Sequence, residues 1–300
     1  MKQKLKNKDF YRYDYMDELS KKIQDVKNLI ENTDHILIAG GEYLSEQAGL
    51  DIYGPMFTDN FQDFIDRYEF TNMYNGTFFP YKYSEEKWAY IARYFHVYLN
   101  FEPTQLYKKI YRLVEDKDYF VITSTFDEQF YKTGFPKSKI YASNGDCRHL
   151  QCSEPCHNEL YDFIELIDRM VKQTDDKRKI PRQLIPQCPK CGGSMDLHLT
   201  TNKNFIQDAD WKKQHEKYGR FTTRNKDSKT LVLQFGSPKV FEKTIRENPK
   251  WHLVRFMEPK GKIGNIGSSL FKPFKKNTEY LNRIITFEEP IEEIVDQLLK

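Results

Sequence analysis

The chain has no apolar run near the ~20 residues needed to span a bilayer, which predicts no membrane-spanning helix. Met1 to Tyr15 is polar and lacks the apolar stretch of a secretory signal. Neither sign of charge is in excess, since 47 basic and 44 acidic residues leave a net +3. No basic block has the length of a nucleic-acid footprint, and clusters such as Lys2-Gln3-Lys4 read as solvated surface. There is no internal repeat. These absences predict a soluble, cytoplasmic protein with neither nucleic acid nor membrane among its partners. In a reducing compartment, five cysteines suit metal binding or free thiols better than disulfides.

A length of 300 residues with 39% hydrophobic and 15% aromatic content is globular, and suits one α/β domain carrying a smaller module. Leu19, Ile23, Val26 and Ile30 recur at steps of three and four, which predicts a helix over 16–33. His35 to Ala39 reads as a buried strand, followed by Gly40-Gly41 and a helix starting at Ser45 to Gly49. Helix, strand, glycine turn and helix open a dinucleotide-type fold. Residues 51–100 read as aromatic-rich and irregular up to a helix containing Trp88, Ile91 and Tyr94. A helix over 103–116 follows. Further strands are predicted at Tyr119 to Thr123, Lys139 to Ala142, Thr230 to Phe235, Trp251 to Phe256 and Ile284 to Phe287. Helices are predicted over Asp208 to Tyr218 and from Ile291 onward. Residues 145–200 hold all the cysteines and a proline-rich stretch, and read as a loop-rich module.

Cys152-Ser153-Glu154-Pro155-Cys156 and Cys188-Pro189-Lys190-Cys191-Gly192-Gly193 are two close pairs about thirty residues apart, ligand spacings usual for zinc. Four thiolates suit a closed tetrahedral zinc site, structural rather than catalytic. Unrelated thiols or a redox pair are the alternatives. Cys147 reads as a buried or half-exposed thiol. His157 could stand in for a cysteine, although four sulfurs already complete the set. No His/Asp/Glu set leaves an open coordination position, which argues against a zinc hydrolase.

The order of these features carries more than any one of them. Strand, glycine turn and Ser45 precede Thr123-Ser124-Thr125-Phe126-Asp127, then Ser143-Asn144-Gly145-Asp146, then the cysteine pairs. This succession resembles the sirtuins, and over Thr123 to His157 it resembles their macrodomain-linked branch, class M. The resemblance implies a Rossmann-like parallel sheet contributed by 16–145 and 228–300, a zinc module over 146–200 and a helical, aromatic insertion over 51–105. It also implies NAD as co-substrate, with Gly40, Gly41, Ser45, Gly49, Thr123, Gly236 and Ser237 on the cofactor and Asn144, Thr125 and Asp127 at the reacting centre. The implied activity is protein ADP-ribosylation, with deacylation weak or absent. The implied substrate is a protein of the lipoyl-carrier type, and the implied partner is a macrodomain.

Several positions depart from the family pattern. Tyr43 stands where a second glycine lets backbone approach the pyrophosphate, and Glu42 adds a negative charge. A phenol at Tyr43 is expected to obstruct the phosphates. Thr125 replaces the asparagine that orients the nicotinamide ribose. Asn144 replaces the general-base histidine, for which the class M branch usually carries glutamine, and an amide offers no basic nitrogen. Asp146 could act as a base or simply hold a turn. Gly236-Ser237 run straight into Pro238-Lys239, a shortened loop, and Phe256 replaces an adenosine-contacting asparagine. These departures also fit a second reading: a sirtuin fold kept for protein or nucleotide binding without turnover.

Overall fold

The computed structural model describes residues 2–236, 241–257 and 279–300. Ser237, Pro238 and Lys239 lie outside them, so the reading of that loop has no structural counterpart. Among the described residues, β1 (His35–Gly40), β2 (Asp118–Thr123), β3 (Ile140–Ala142), β7 (Thr230–Phe235), β8 (Trp251–Phe256) and β9 (Ile284–Phe287) form one parallel sheet in the order β3-β2-β1-β7-β8-β9. The strands are short, continuous apolar runs because both faces are covered, as parallel sheets require; every residue of β7 is buried. The expected α/β class with a Rossmann-like parallel sheet is therefore the observed one.

The chain leaves β1 toward β2 and β3, then returns on the other side through β7, β8 and β9. The sheet order thus switches between β1 and β7, the place where open α/β sheets bind ligands beyond their strand ends. Register aligns those ends: Gly40 pairs with Thr123 on one side and Phe235 on the other.

α1 (Lys2–Asn32) leads into β1, and α2 (Glu42–Gln47) begins directly after Gly41. The helix expected to start at Ser45 therefore starts three residues earlier and ends at Gln47, with Gly49 at φ 97° just beyond its C-cap Ala48. The stretch read as irregular folds into α3 (Pro55–Tyr68) and α4 (Met73–Thr77) before α5 (Ser84–Asn100). Aromatic residues are indifferent helix formers, but here Phe61, Phe64, Phe70, Tyr81 and Tyr90 pack ring to ring, and their burial outweighs propensity. Tyr90 lies flat against Gly76, where a Cβ would approach its ring to 2.2 Å. α6 (Gln105–Arg112) and α7 (Gln129–Lys132) flank β2 in sequence. Lys132 caps the end of α5 by donating to the carbonyls of Tyr98, Leu99 and Phe101.

Residues 145–200 are also more regular than expected. β4 (Gly145–Cys152) pairs antiparallel with β5 (Tyr161–Asp162) and β6 (Met195–Leu199), and α8 (Ile164–Gln173) packs against α5. The β4–β6 register shifts between Gly145 and Leu150, so the alternation that reveals a strand is broken there. α9 (Ala209–Arg224) is capped by Asp208, whose carboxylate accepts from Trp211 N, and runs past the expected end at Tyr218. α10 (Glu242–Glu247) and α11 (Ile291–Leu298) complete the layers. No helix among the described residues is long and apolar enough to cross a membrane.

Candidate functional site

The turn after β2 converges on one carboxylate. Asp127 is 1% exposed and accepts four hydrogen bonds. Ser45 Oγ (2.5 Å) and Tyr107 Oη (2.6 Å) donate to Oδ2, and Thr125 Oγ1 (3.2 Å) and Gln129 N (3.0 Å) donate to Oδ1. Thr125 N in turn donates to Thr123 Oγ1 at 3.1 Å, and the two threonine hydroxyls lie 2.8 Å apart. Burial, reinforced by Asp127, pushes the Tyr107 phenol far up, so it remains a neutral donor. Ser45, Thr123, Thr125 and Asp127, widely separated in sequence, therefore form one network. Gly40 adjoins it: Ser124 N donates to Gly40 O, and a Cβ on Gly40 would reach Phe130 at 2.6 Å.

Asn144 enters from the β3–β4 turn. Its amide donates to Ser124 O at 3.3 Å, and its own carbonyl accepts from Thr200 N at 3.0 Å. Gly145 has φ 89°, and a Cβ there would sit 2.0 Å from His198 O, so only glycine lets β4 cross β6 this closely. Thr123, Thr125, Asp127, Glu128, Gly145 and Asp146 line one narrow cleft at the ends of β2 and β3.

Asp146 is engaged in structure. Arg148 N, His149 N and His149 Nδ1 contact Oδ1 at 2.8, 3.0 and 2.8 Å, and His198 Nδ1 contacts Oδ2 at 3.1 Å. Burial raises its pKa, but the hydrogen bonds and charges of His149 and His198 outweigh burial and hold it well below the usual carboxylate range. Of the two roles open to Asp146, the turn is the one observed.

The other side of the switch point is apolar. Phe235, Phe256 and Phe287 are register partners at the ends of β7, β8 and β9. They stack at 4.6 and 5.4 Å between centroids, tilted by 13° and 20°. The Phe256 ring is thus committed to the core, 1% exposed, and offers no polar atom to a ribose.

Tyr43 bridges the two sides differently from expectation. Its ring is 8% exposed and packs in the core with Phe235, Phe256 and α11 residues. Its backbone and Cβ instead pack against Gly236: a Cβ added to Gly236 (φ 59°) would meet Tyr43 Cβ at 2.3 Å and Cα at 3.1 Å. Gly41 N also donates to Phe235 O at 2.9 Å, tying the turn after β1 to β7. Gly49 follows α2, beside Phe101.

The four paired cysteines meet at the end of the small sheet, their sulfurs all within 4.8 Å of one another. Cys152–Cys191 and Cys156–Cys188 separations are both 3.7 Å. A tetrahedral ion about 2.3 Å from each sulfur would place them about 3.8 Å apart, so the cluster has the dimensions of a thiolate metal site. Gly192 N donates to Cys188 O, and Gly193 N points at Cys191 Sγ from 3.4 Å. His157 lies beside Cys156 Sγ at 2.9 Å and also meets the Tyr161 hydroxyl, outside the sulfur set. Cys147 is fully buried, and burial pushes its thiol pKa far up.

Tyr107 and Glu128 were not anticipated, and Gln129, part of the stretch that carries the resemblance, was given no role. Gln129 is fully buried, its amide bridging Thr104 N and Glu102 O. Its place two residues after Asp127 is the one signal the sequence offers.

No family model matches the chain. A protein ADP-ribosyltransferase of Staphylococcus aureus (strain Mu50 / ATCC 700699) is 32% identical over 223 residues, 74% of this chain and 70% of that protein. A probable bifunctional ADP-ribose hydrolase/ADP-ribosyltransferase of Fusarium oxysporum f. sp. cubense is 26% identical over 201 residues, and the match spans 33% of that protein's length. Sir2Tm bound to a propionylated peptide superposes with TM-score 0.57 at 13% identity, covering 92% of this chain and 97% of that one. A Sir2 homologue–NAD complex gives the same score and identity over 92% of each chain. Sheet order, crevice and cysteine cluster thus define a Sir2-type α/β protein. The chain belongs to the sirtuin family.

Proposed function

We propose that this protein is a sirtuin-like, NAD-dependent protein ADP-ribosyltransferase with weak or no deacylase activity. The observation that carries the reading is the 32% identity to the staphylococcal ADP-ribosyltransferase across most of both chains. The polar corner supports it. Thr125, which lines the cleft, donates its hydroxyl hydrogen to Asp127, so its oxygen is left to accept from ribose hydroxyls or a carboxamide. In this reading Thr125, Asp127 and Asn144 orient the nicotinamide ribose. Gly40, Gly41, Ser45, Gly49, Thr123, Gly236 and Ser237 belong to the cofactor side. The acceptor is a side chain of a lipoyl-carrier-type protein, and a macrodomain partner reverses the reaction. Residues 16–145 and 228–300 act as the nucleotide lobe of a cytoplasmic protein, with 51–105 inserted in it. Cys152, Cys156, Cys188 and Cys191 of the 146–200 module hold a structural zinc ion, and metal analysis is expected to find one zinc per chain.

The test is incubation with labelled NAD and a lipoylated carrier protein. Label on the carrier together with released nicotinamide supports transfer; release of neither overturns it.

A second reading, a nucleotide- or protein-binding module without turnover, is favoured by the Tyr43–Gly236 contact and the buried Phe256. Calorimetry separates the two: micromolar NAD binding with turnover removes the second reading, and absent NAD binding removes the first.

A further inference from the structure

ADP-ribosyl transfer leaves a proton to be taken from the accepting side chain, and Asn144 has no basic nitrogen to take it. Three carboxylate residues line the cleft: Asp127, Glu128 and Asp146. Two are already committed. Asp127 accepts from Ser45, Tyr107, Thr125 and Gln129. Asp146 is held by two backbone N–H groups and two imidazoles.

Glu128 differs from both. Its Oε2 accepts from Arg148 Nε at 2.6 Å, and among the described residues nothing donates to Oε1. The Glu128 side chain is 6% exposed, whereas Arg148 is 42% exposed and reaches in from the surface. The Glu128 backbone is left-handed (φ 59°, ψ 4°), a conformation that residues with a Cβ adopt rarely and that collects at functional sites. Burial raises its pKa, an effect Arg148 only partly offsets, which brings a carboxylate toward the range of a working base. His149 is the other candidate. Its Nδ1 is tied to Asp146, and the other charges acting on it are Asp162 and Asp208, away from the cleft.

We propose that Glu128 is the general base of this site, standing in for the missing imidazole. The proposal rests on the transferase reading above. The bond between ribosyl C1 and the nicotinamide nitrogen breaks, and its electron pair stays on nicotinamide, which leaves neutral. The acceptor's nucleophilic atom bonds to C1 and passes its proton to Glu128 Oε1. The neutral carboxyl then returns that proton to solvent while Arg148 holds Oε2.

The experiment combines kinetics with a binding readout. Glu128→Gln is expected to lower transfer from NAD about 10²–10⁴-fold with NAD affinity unchanged within threefold, and Glu128→Asp to recover part of the loss. Wild-type rate should fall with decreasing pH as Glu128 protonates, and Glu128→Gln should lose that limb. The groups facing Glu128 are Asp127 before it, Tyr131 and Lys132 on α7, and Asp146, Cys147 and Arg148 on β4. Independently of turnover, ADP-ribose added to protein carrying 13C-labelled glutamate should move the Glu128 carboxyl resonance, identified by its absence in Glu128→Gln. Transfer in Glu128→Gln within threefold of wild type overturns the proposal, as does loss in His149→Gln with Glu128→Gln unaffected. An absence of transfer with a moving resonance fails the transferase reading but keeps Glu128 at the ligand. No transfer and an unmoved resonance overturn both.

Discussion

The two sides of the switch point are built from opposite chemistry. Toward β2 and β3, hydroxyls converge on Asp127, and two of the threonines in that network line a cleft. Toward β8 and β9, among the described residues, three phenylalanines stack at the strand ends. Both sides cap the same sheet and have aligned strand ends, so the difference lies in the side chains alone. Among the described residues, a dinucleotide straddling this crevice would meet hydrogen-bonding groups at the end of β2 and phenylalanine rings at the ends of β7 and β8. Tyr43 joins them, its ring buried on the apolar side and its backbone against Gly236.

If the phenylalanine side is core, Phe256→Ala should have the largest effect, about 3–5 kcal/mol of unfolding free energy in denaturant titration. A loss under 1 kcal/mol would mean the ladder is not packed as described. Asp127→Asn should cost less, about 1–3 kcal/mol, because the amide nitrogen that replaces one oxygen cannot accept, so either the Ser45–Tyr107 pair or the Thr125–Gln129 N pair loses its acceptor. It should also abolish ADP-ribose binding in calorimetry, whereas a nucleotide affinity unchanged by it would remove the polar side from the site. Tyr43→Gly tests the junction. We expect lower thermal stability from the lost ring and NAD affinity raised about tenfold, worth ~1.4 kcal/mol; unchanged NAD binding would acquit the Tyr43–Gly236 contact.

The smallest effect concerns pH. The hydrogen bond that His149 Nδ1 donates to Asp146 raises the pKa of the half-exposed His149. A raised histidine pKa stabilises fully below the unfolded value of about 6.5 and is lost as pH rises through the folded value. Asp146 runs the opposite way: its depressed pKa stabilises above the unfolded value of about 3.9 and is lost as pH falls through the folded one. Wild type minus His149→Gln should therefore show under about 1 kcal/mol at pH 6, the scale of exposed pairs, and less at pH 9. A difference that grows with pH would contradict the pair.

The strands were legible because each is a local apolar run, and the metal cluster because both cysteine pairs are local spacings. Helix α3 was not, since Phe57, Phe61 and Phe64 are settled by burial rather than propensity, nor was α4, a five-residue helix capped by Asn72, and β4 was hidden by its register shift. Within the site, Thr125, Asp127 and Asn144 could be named from motif order, but their bonding could not.

By itself, the sequence determined which segments lie in the sheet, which sulfurs stand in pairs and which family positions are altered. Tertiary structure alone decided that Asp127 is saturated while Glu128 keeps an open oxygen, and that the Tyr43 ring turns into the core. Those outcomes depend on contacts between residues far apart in the chain, such as Ser45 with Asp127 and Tyr43 with Gly236. Hydrophobic periodicity is a local signal and carries no record of which distant groups meet.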